Sequence, residues 1–459
     1  MNRIFPLLIR RRLYHSDPGY NFVKIVLATC VLCSGVFGAV PCASASGGPI
    51  TPSAVITDVA SFGSNMAWPC SGLTVYDGSL FGTASDGPDR GGGFYSSTIG
   101  AGAVFKVVGN SVVPVAVFNG NDGLEPTGGL TVFNNRLYGT TTSGGPKNTG
   151  CIYEVTGNSV SAVAPFSGGG SGIDQFLTPL GGNLYGYEWQ EENAGGAIQA
   201  ISSVFVLSGS SLNDISQFDT TSYNGIGGNG MEPAGSLTVF GGHLYGVATG
   251  GGQTGNGVVF EVANPFGGKI DHVLHRNIGI LDIASFDGQN GQFPETSLVP
   301  FNGALYGATS FGGGTGHGDV YEVSGNNIVD VADFTGSDSG GARAQVGSIN
   351  PLDPYANVDF YGNFTAPGAS LVVFDGNLYG TTPFGGANGR GEVFEVAGNT
   401  VKDIADFNGE NGAIPISLTV FNNALYGTTT QGGASGNGTV FTVSFRGVGL
   451  NANSKVYGL

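Results

Sequence analysis

Residues 417–429 read Ser-Leu-Thr-Val-Phe-Asn-Asn-Ala-Leu-Tyr-Gly-Thr-Thr. This stretch contains an apolar segment, two turn-forming residues and a second apolar segment, which is the pattern of two strands in a hairpin. Asn tolerates the positive φ that a tight hairpin turn requires. The stretch therefore predicts a β-hairpin, and its recurrence along the chain decides the fold.

The tripeptide Leu-aromatic-Gly recurs with the same neighbours, and successive copies start 47 to 73 residues apart. A Gly-rich loop follows each copy, then a third strand of the type Val-aromatic-Glu-Val, as at 393–396, and a fourth strand that ends in Phe, as at 403–407. The first residues of the seven copies are Leu80, Leu137, Leu184, Leu244, Leu305, Leu378 and Leu425. The sequence therefore consists of seven units of four short strands.

A sheet of four short strands cannot bury both of its faces alone, whereas radial stacking of such sheets buries them all. The sequence therefore predicts an all-β, seven-bladed β-propeller of four-stranded antiparallel blades with kelch-like repeat length. The fourth-strand pattern also precedes the first unit, at 58–62, and it is missing after the last third strand, at 440–443. We therefore expect the N-terminal strand 56–62 to pair with 438–443, which completes the last blade and removes its open edge.

The repeated block of residues 56–443 resembles the GloVer repeat of bacterial extracellular tandem-repeat proteins of the choice-of-anchor type. The resemblance rests on four segments in order: Leu-Thr-Val-Phe, Leu-Tyr-Gly-Thr-Thr, Gly-Gly and Val-Phe-Glu-Val. The resemblance implies an exported protein, often attached to the surface through a variable C-terminal anchor. It implies no activity, because this family has no agreed catalytic residues. Residues 446–459 show no such anchor, so release from the cell and attachment to its surface both remain open.

The first 45 residues are predicted to be a signal peptide. A basic segment with Arg10, Arg11 and Arg12 comes first, and Ala43-Ser44-Ala45 has the small-residue pattern that signal peptidase cleaves. The apolar run between them has about 16 residues, fewer than the roughly 20 that span a bilayer, although a retained anchor helix remains the alternative. The predicted organisation is signal peptide 1–45, linker 46–55, propeller 56–445 and C-terminal tail 446–459, with no membrane span in the mature chain.

Composition and charge narrow the class of partner. The chain has 459 residues with 84 Gly, and only 11% of them are charged. Such glycine-rich composition with many aromatic and β-branched residues favours short strands and tight turns over a helical bundle. The first 45 residues hold five basic residues and one acidic residue, so their removal changes the net charge from −17 to −21. This charge repels phosphate backbones, and we expect no nucleic-acid partner.

Two cysteines, Cys70 and Cys151, remain in the predicted mature chain. The sequence leaves two alternatives open, one disulfide between them or two buried thiols. No cofactor is predicted. Turns rich in Asn, Asp and Gly, such as 287–291 and 408–412, could wrap Ca²⁺, but turn geometry alone explains those residues and is the favoured interpretation. The Glu that recurs in the third strand is expected to be structural or solvated, because a catalytic group usually occurs once.

The segments that interrupt the repeat are the candidate binding regions, since function on repeat scaffolds is usually carried by loops. They are 187–193, 263–281 and 335–368. Their aromatic side chains could stack on a sugar and their carboxylates could accept its hydrogen bonds. The candidate binding residues in these insertion loops are Trp189, Asp353, Tyr355, Asp359 and Tyr361. A longer packed loop that covers one face of the propeller is the alternative interpretation.

The sequence contains no catalytic motif and supports three hypotheses about function. The favoured one is an exported, non-enzymatic binding or interaction module for glycans or envelope partners. A carbohydrate-active hydrolase or lyase would instead use carboxylates of the central channel. A structural component of the envelope is the third possibility.

Overall fold

The computed structural model describes residues 54–63, 66–86, 101–167, 176–194, 197–218, 230–263, 279–335 and 371–445. All of them belong to one compact unit, Thr51–Leu459. The predicted signal peptide 1–45 and the predicted tail 446–459 lie outside the described residues. In the part of the chain that the structure describes, no helix has the length and apolar character needed to cross a bilayer.

The described residues form thirty β-strands, of which β1 is Ala54–Ser61. Blade 1 contains β2 (Ala67–Pro69), β3 (Thr74–Tyr76), β4 (Ser79–Asp86), β5 (Ala103–Val108) and β6 (Ser111–Val117). Blade 2 contains β7 (Thr131–Phe133), β8 (Arg136–Thr141), β9 (Cys151–Thr156) and β10 (Ser159–Pro165). Blade 3 contains β11 (Thr178–Leu180), β12 (Asn183–Ala194), β13 (Ala197–Ser208) and β14 (Ser211–Gln217). Blade 4 contains β15 (Met231–Phe240), β16 (His243–Gly250), β17 (Val258–Val262) and β18 (Ile280–Ser285).

Blade 5 contains β19 (Gln292–Pro294), β20 (Val299–Phe301), β21 (Ala304–Phe311), β22 (Asp319–Ser324) and β23 (Asn327–Asp333). Blade 6 contains β24 (Val372–Phe374), β25 (Asn377–Thr382), β26 (Glu392–Ala397) and β27 (Thr400–Asp406). Blade 7 contains β28 (Ala413–Phe421), β29 (Ala424–Gln431), β30 (Thr439–Phe445) and β1. In blades 1 and 5 the first strand is split into two short pieces, both paired with the second strand. The predicted all-β fold, a propeller of seven antiparallel blades, is confirmed.

The N-terminal strand β1 lies beside the last strand of the chain. β1 and β30 pair antiparallel, with Ile56 opposite Val443 and Thr57 opposite Thr442. Immediately after β1, the amide of Phe62 donates to the carbonyl of Gly438 at 3.0 Å. β1 begins at Ala54, two residues before the predicted strand, so it includes the end of the predicted linker 46–55.

The glycine of the Leu-aromatic-Gly motif leaves room for an aromatic ring of the third strand. A Cβ atom built at Gly380 would lie 2.4 Å from the Phe394 ring, and one built at Gly307 would lie 2.4 Å from the Tyr321 hydroxyl. Real Cβ atoms do not approach other atoms this closely, so any side chain here would displace a packed ring. The motif leucines are buried, as expected for core residues.

Each third-strand ring also packs against the phenylalanine that ends the fourth strand of the preceding blade. All seven of these phenylalanines are at most 3% exposed. Most of the pairs are edge-to-face, an arrangement worth about 0.5–1.5 kcal/mol beyond area burial. The pairs are Phe62–Phe105, Phe118–Tyr153, Phe166–Phe205, Phe218–Phe260, Phe286–Tyr321, Phe334–Phe394 and Phe407–Phe441, with ring centroids 4.8 to 5.8 Å apart. One such pair therefore occupies every boundary between blades, including that between blades 7 and 1.

Hydrogen bonds from the Thr of the Leu-Thr-Val-Phe segment also join neighbouring blades. Its hydroxyl donates to the carbonyl of the matching Leu in the next blade at 2.5 to 2.7 Å. The five bonds are Thr74 to Leu130, Thr131 to Leu177, Thr178 to Leu237, Thr238 to Leu298 and Thr419 to Leu73. In blades 5 and 6 the Thr is replaced by Val299 and Val372, which have no hydroxyl to donate.

Candidate functional site

The loop face of the propeller is defined here as the end that carries two kinds of connection, from second to third strand and from fourth strand to the next blade. Because neighbouring strands are antiparallel, these connections share one end of every blade. β12 and β13 project from this face, and the chain leaves β23 and enters β24 on it. β17 ends and β18 begins at the opposite end of the blade, with most of the interrupting segment 263–281 between them in the sequence.

Five non-glycine residues on the loop face adopt positive φ and directly precede a proline; a sixth, Asn148, has positive φ in the loop between β8 and β9. The five before prolines are unusual. Their φ values lie between 54° and 57°. This left-handed conformation costs an L-residue about 1–2 kcal/mol, and proline normally keeps its preceding residue extended. The five are Trp68, Glu125, Glu232, Phe293 and Ile414. Such strain persists only where the surroundings impose it, and it is concentrated at functional sites.

Contacts between blades impose this conformation. The amide of Phe293 donates to the carbonyl of Asn256 at 3.0 Å, and the amide of Ile414 donates to that of Arg390 at 3.0 Å. Each acceptor lies in the loop between the second and third strands of the preceding blade. The amides of Trp68 and Glu125 make matching bonds, to Asn437 and Ala101 respectively, at 3.3 Å each. At these four of the five positions, the strained backbone is therefore held by two blades at once.

The strained side chains combine apolar surface with carboxylates. Trp68, Phe293 and Ile414 are half-buried. The carboxylates of Glu125 and Glu232 accept hydrogen bonds from the hydroxyls of Thr142, at 3.2 Å, and Thr249, at 3.3 Å. The aromatic side chains and the carboxylates belong to different blades but lie on the same face. Aromatic rings can stack on a sugar ring, and carboxylates can bind its hydroxyl groups.

The candidate residue Trp189 lies in a strand rather than in the predicted insertion loop. β12 and β13 have 12 residues each and stay paired as far as Ala194 and Ala197, with Trp189 opposite Ser202. β14 pairs with β13 only as far as Ser203. We call the projecting part of this hairpin, residues 189–202, the ribbon. The other candidates, Asp353, Tyr355, Asp359 and Tyr361, lie outside the described residues.

The side chains of the turns that were considered for Ca²⁺ serve the turns themselves. Oδ1 of Asp287 accepts from the amides of Gln289 at 2.9 Å and Asn290 at 3.0 Å. Oδ1 of Asn408 accepts from the amides of Glu410 and Asn411 at the same two distances. These are the local bonds that make Asx residues favourable in turns. Turn geometry therefore accounts for these residues.

The recurring Glu of the third strand binds the tyrosine of the Leu-Tyr-Gly motif. Tyr138 donates to Glu154 at 2.6 Å, and Tyr306 donates to Glu322 at 2.5 Å. Burial, together with the neighbouring Glu322, raises the pKa of Tyr306 to about 12. Where the motif has Phe81 instead of Tyr, the Glu is replaced by Lys106, whose ammonium lies 5.4 Å from the centre of the Phe81 ring. The prediction of a structural role for this position is confirmed.

Neither Cys70 nor Cys151, the two cysteines of the predicted mature chain, forms a disulfide. Cys151 is buried and Cys70 is half-buried. Burial raises the pKa of the Cys151 thiol, which keeps it protonated and unreactive at neutral pH. Of the two alternatives left open by the sequence, the structure therefore has two thiols and no disulfide between them, with Cys70 less buried than expected.

Blade 5 contains a carboxyl group in an unusual environment. Asp319 is completely buried at the start of β22, and its Oδ1 accepts from the Thr309 hydroxyl at 2.5 Å. Its Oδ2 is buried without a hydrogen-bond partner. Burial raises the pKa of Asp319 to about 7, and the nearby carboxylates of Asp330 and Asp333 contribute to the rise. Such a group can hold either a proton or a cation at neutral pH.

Sequence reasoning did not identify the strained residues of the loop face. The available signal was a Trp, Phe or Ile directly before a proline, at a position where blades 2 and 4 have Glu. A residue before proline is expected to be extended, so no sequence pattern here predicts a left-handed conformation. Only the neighbouring blade explains it.

No family model matches the chain, and no curated protein matches it, so the resemblance to the GloVer repeat remains a prediction. Several solved structures share its general architecture at low similarity. A candidate 6-phosphogluconolactonase from Bacteroides fragilis is 12% identical, with a TM-score of 0.44 over 79% of this chain and 94% of that one. The polysaccharide lyase Uly1 is 11% identical, with a TM-score of 0.42 over 86% and 98%. The endosialidase of phage phi92 is 11% identical, with a TM-score of 0.39 over 89% and 71%. At TM-scores below 0.5, these likenesses carry no argument about function.

Proposed function

We propose that this chain is an exported, non-enzymatic module that binds an envelope glycan through its loop face. The observation that carries the proposal is the strained, half-buried pair Trp68 and Phe293, placed on the same face as the carboxylates of Glu125 and Glu232. Strain of this kind is retained where a side chain must be presented in one orientation. Export is supported by the basic segment, the apolar run and the Ala43-Ser44-Ala45 pattern of the first 45 residues.

The repeated polar groups support this assignment indirectly. The Thr hydroxyls join blades, the third-strand Glu residues bind tyrosines, and the Asn and Asp of the turns bind their own backbone. Groups used by the fold in blade after blade are not available for a ligand. The ligand is therefore expected to contact the parts that differ between blades, which include the strained side chains and the ribbon.

A hydrolase or lyase is the second candidate, and Asp319 is the observation that favours it. A general acid works best with a pKa near the operating pH, and the pKa of Asp319 is raised to about 7. However, its side chain is completely buried inside blade 5. A catalytic acid must come within hydrogen-bond reach of the bond it cleaves, which a glycan cannot achieve here without opening the blade. Binding is therefore the favoured function.

The test is a glycan array probed with the mature chain, residues 46–459, followed by titration of the best ligand with variants. We expect Trp68→Ala and Phe293→Ala each to weaken binding about tenfold, the equivalent of losing about 1.4 kcal/mol of stacking. Replacement of the ribbon, residues 189–202, by Asn-Gly should weaken binding further if the ligand extends over blade 3.

The matched control is His243→Ala, because His243 begins β16 at the end of the propeller opposite to the loop face. It should bind like the unmodified chain. The proposal fails if the two loop-face variants keep full affinity while their thermal unfolding is unchanged. It also fails if the mature chain cleaves a glycan that it binds.

A further inference from the structure

The same three positions carry carboxyl groups in two consecutive blades. In blade 5 they are Asp319 at the start of the third strand and Asp330 and Asp333 on the fourth strand. In blade 6 the matching residues are Glu392, Asp403 and Asp406. The register is identical, since Asp319 lies opposite Asp333 and Glu392 lies opposite Asp406. We call each set of three an acidic triad.

The triad of blade 6 has the dimensions of a calcium site. One oxygen from each of Glu392, Asp403 and Asp406 lies within 4.8 Å of the other two. Ca²⁺ binds oxygen at about 2.3–2.6 Å, so two ligands on opposite sides of the ion are about 5 Å apart or less. Mg²⁺ needs bonds of about 2.0–2.1 Å in a strict octahedron and usually keeps several waters, with only one or two protein carboxylates as ligands. A site made of three protein carboxylates therefore favours Ca²⁺.

The triad of blade 5 contains a group that needs a partner. Oδ2 of Asp319 is buried and accepts no hydrogen bond. The charged groups that act on Asp319 electrostatically are Asp330 and Asp333, and both are negative. A buried carboxylate without compensation is costly, and a second and third carboxylate beside it increase the cost. A divalent cation would supply both the missing partner and the opposite charge.

The Gly-rich loop fixes one member of each triad. The amide of Gly314 donates to Oδ1 of Asp333 at 2.6 Å, and the amide of Ala387 donates to Oδ1 of Asp406 at 2.5 Å. The loop passes so close that a Cβ built at Gly313 would lie 2.5 Å from Oδ1 of Asp333. Orientation of a carboxylate by a backbone amide is the outer-shell support that metal ligands require.

Blade 7 shows that the fold does not need carboxyl groups at all three positions. There the triad is replaced by Thr439, Asp58 and Ser61. The Ser61 hydroxyl accepts from the amide of Ala434 at 3.0 Å and donates to Oδ2 of Asp58 at 2.6 Å. In blade 7, the neutral side chain of Ser61 thus binds the Gly-rich loop in the same way as Asp333 and Asp406 do in blades 5 and 6. The extra carboxyl groups of blades 5 and 6 therefore require an explanation other than loop anchoring.

We propose that the acidic triads of blades 5 and 6 each bind one Ca²⁺ ion, although among the described residues only the blade 6 triad has one ligand oxygen of each residue within 4.8 Å of the other two. Oxygen-only ligands with several negative charges are what this hard cation prefers. Blades 5 and 6 are also the blades that lack the Thr hydroxyl joining neighbouring first strands, so a bound ion would stiffen the sector that has fewer inter-blade hydrogen bonds. The inference is independent of the glycan-binding function.

The test is isothermal titration of the chelator-treated mature chain with CaCl₂, together with thermal unfolding. We expect two Ca²⁺ ions per chain, a Tm that rises with Ca²⁺ concentration, and at least about tenfold weaker binding of Mg²⁺. The pair Asp319→Asn with Asp333→Asn should remove one ion, and the pair Glu392→Gln with Asp406→Asn should remove the other. The matched control Asp58→Asn, at the same position of blade 7, should leave the stoichiometry at two.

A chain that takes up no Ca²⁺ at millimolar concentration would overturn the proposal, and Asp319 would then be a protonated carboxylic acid. Uptake of a single ion would overturn the assignment to both blades. Retention of two ions by both variant pairs would place the ions elsewhere. Because the stoichiometry of the unmodified chain is itself decisive, a variant that does not fold leaves the test intact.

Discussion

A mature chain that begins at residue 63 is expected to lose the cooperative unfolding transition of a chain that begins at residue 46. The difference between the two is β1 with its flanking residues, which pairs along the length of β30 and contributes four buried apolar side chains. They are Ala54, Ile56, Ala60 and Phe62. Without them, β30 becomes an exposed edge strand, and the boundary between blades 7 and 1 loses its aromatic pair.

The expected cost is comparable to the whole net stability of a protein. Loss of a buried Phe alone costs about 3–5 kcal/mol, whereas total stabilities are about 5–15 kcal/mol. Far-UV circular dichroism during urea unfolding measures the effect. The control is a chain that begins at residue 46 and lacks the predicted tail 446–459, which should unfold like the mature chain. An unchanged urea midpoint after removal of β1 would contradict the expectation.

Phe407→Ala is expected to lower the free energy of unfolding by about 3–5 kcal/mol. Phe407 is completely buried at the end of β27, and its ring meets that of Phe441 in blade 7 edge-to-face at 4.9 Å. Removing the ring opens a cavity between two rigid sheets, which cannot close without shifting the blades. The loss therefore contains both a transfer contribution and a cavity contribution.

Two control variants make this measurement specific. Phe407→Leu keeps most of the volume and should cost much less than Phe407→Ala. Val420→Ala removes an apolar side chain that is 38% exposed, and it should change stability by about 0.5 kcal/mol or less. Equal losses for Phe407→Ala and Val420→Ala in urea unfolding would show that the aromatic pairs do not hold the blades together.

The fold could be predicted because its requirements are local and repeated. Gly380 must be glycine to admit the ring of Phe394, and the same requirement recurs in every unit. A steric demand of this kind appears directly in the sequence as the Leu-aromatic-Gly motif. The offset between the first fourth-strand pattern and the last third strand likewise predicted that β1 would lie beside β30.

The candidate site could be predicted only in part, because its features depend on contacts between blades. The positive φ of Phe293 is imposed by the carbonyl of Asn256 in the preceding blade, and no local rule predicts it. The sequence places Trp189 in a loop because segment 187–193 interrupts the repeat, yet strand pairing continues through this segment to Ala194. In this stretch pairing overrides the weak β-propensity of Gln, Glu and Asn.

The acidic triads could likewise be predicted from the sequence only in part. The sequence displays Asp319 and Glu392 as departures from the repeat, since the matching residues of blades 1 and 2 are Ala103 and Cys151. It does not show that carboxyl groups 11 and 14 residues further along the chain lie near Asp319 and Glu392. That proximity depends on a register irregularity between the third and fourth strands: the consecutive residues Val320 and Tyr321 pair with Ala332 and Asp330.

The claim on which the account depends is that the first strand and the last strand of the propeller are neighbours in one sheet. Thr57 and Thr442 lie directly opposite each other in β1 and β30, and directly opposed residues of an antiparallel pair have Cβ atoms about 4.5–5.5 Å apart. Thr57→Cys with Thr442→Cys should therefore form an intrachain disulfide in the monomer under mild oxidation, detected by mass spectrometry. Thr57→Cys with Tyr426→Cys, one strand further away, should not. Failure of the first pair to cross-link in the folded monomer, or equal cross-linking of both pairs, would contradict the account.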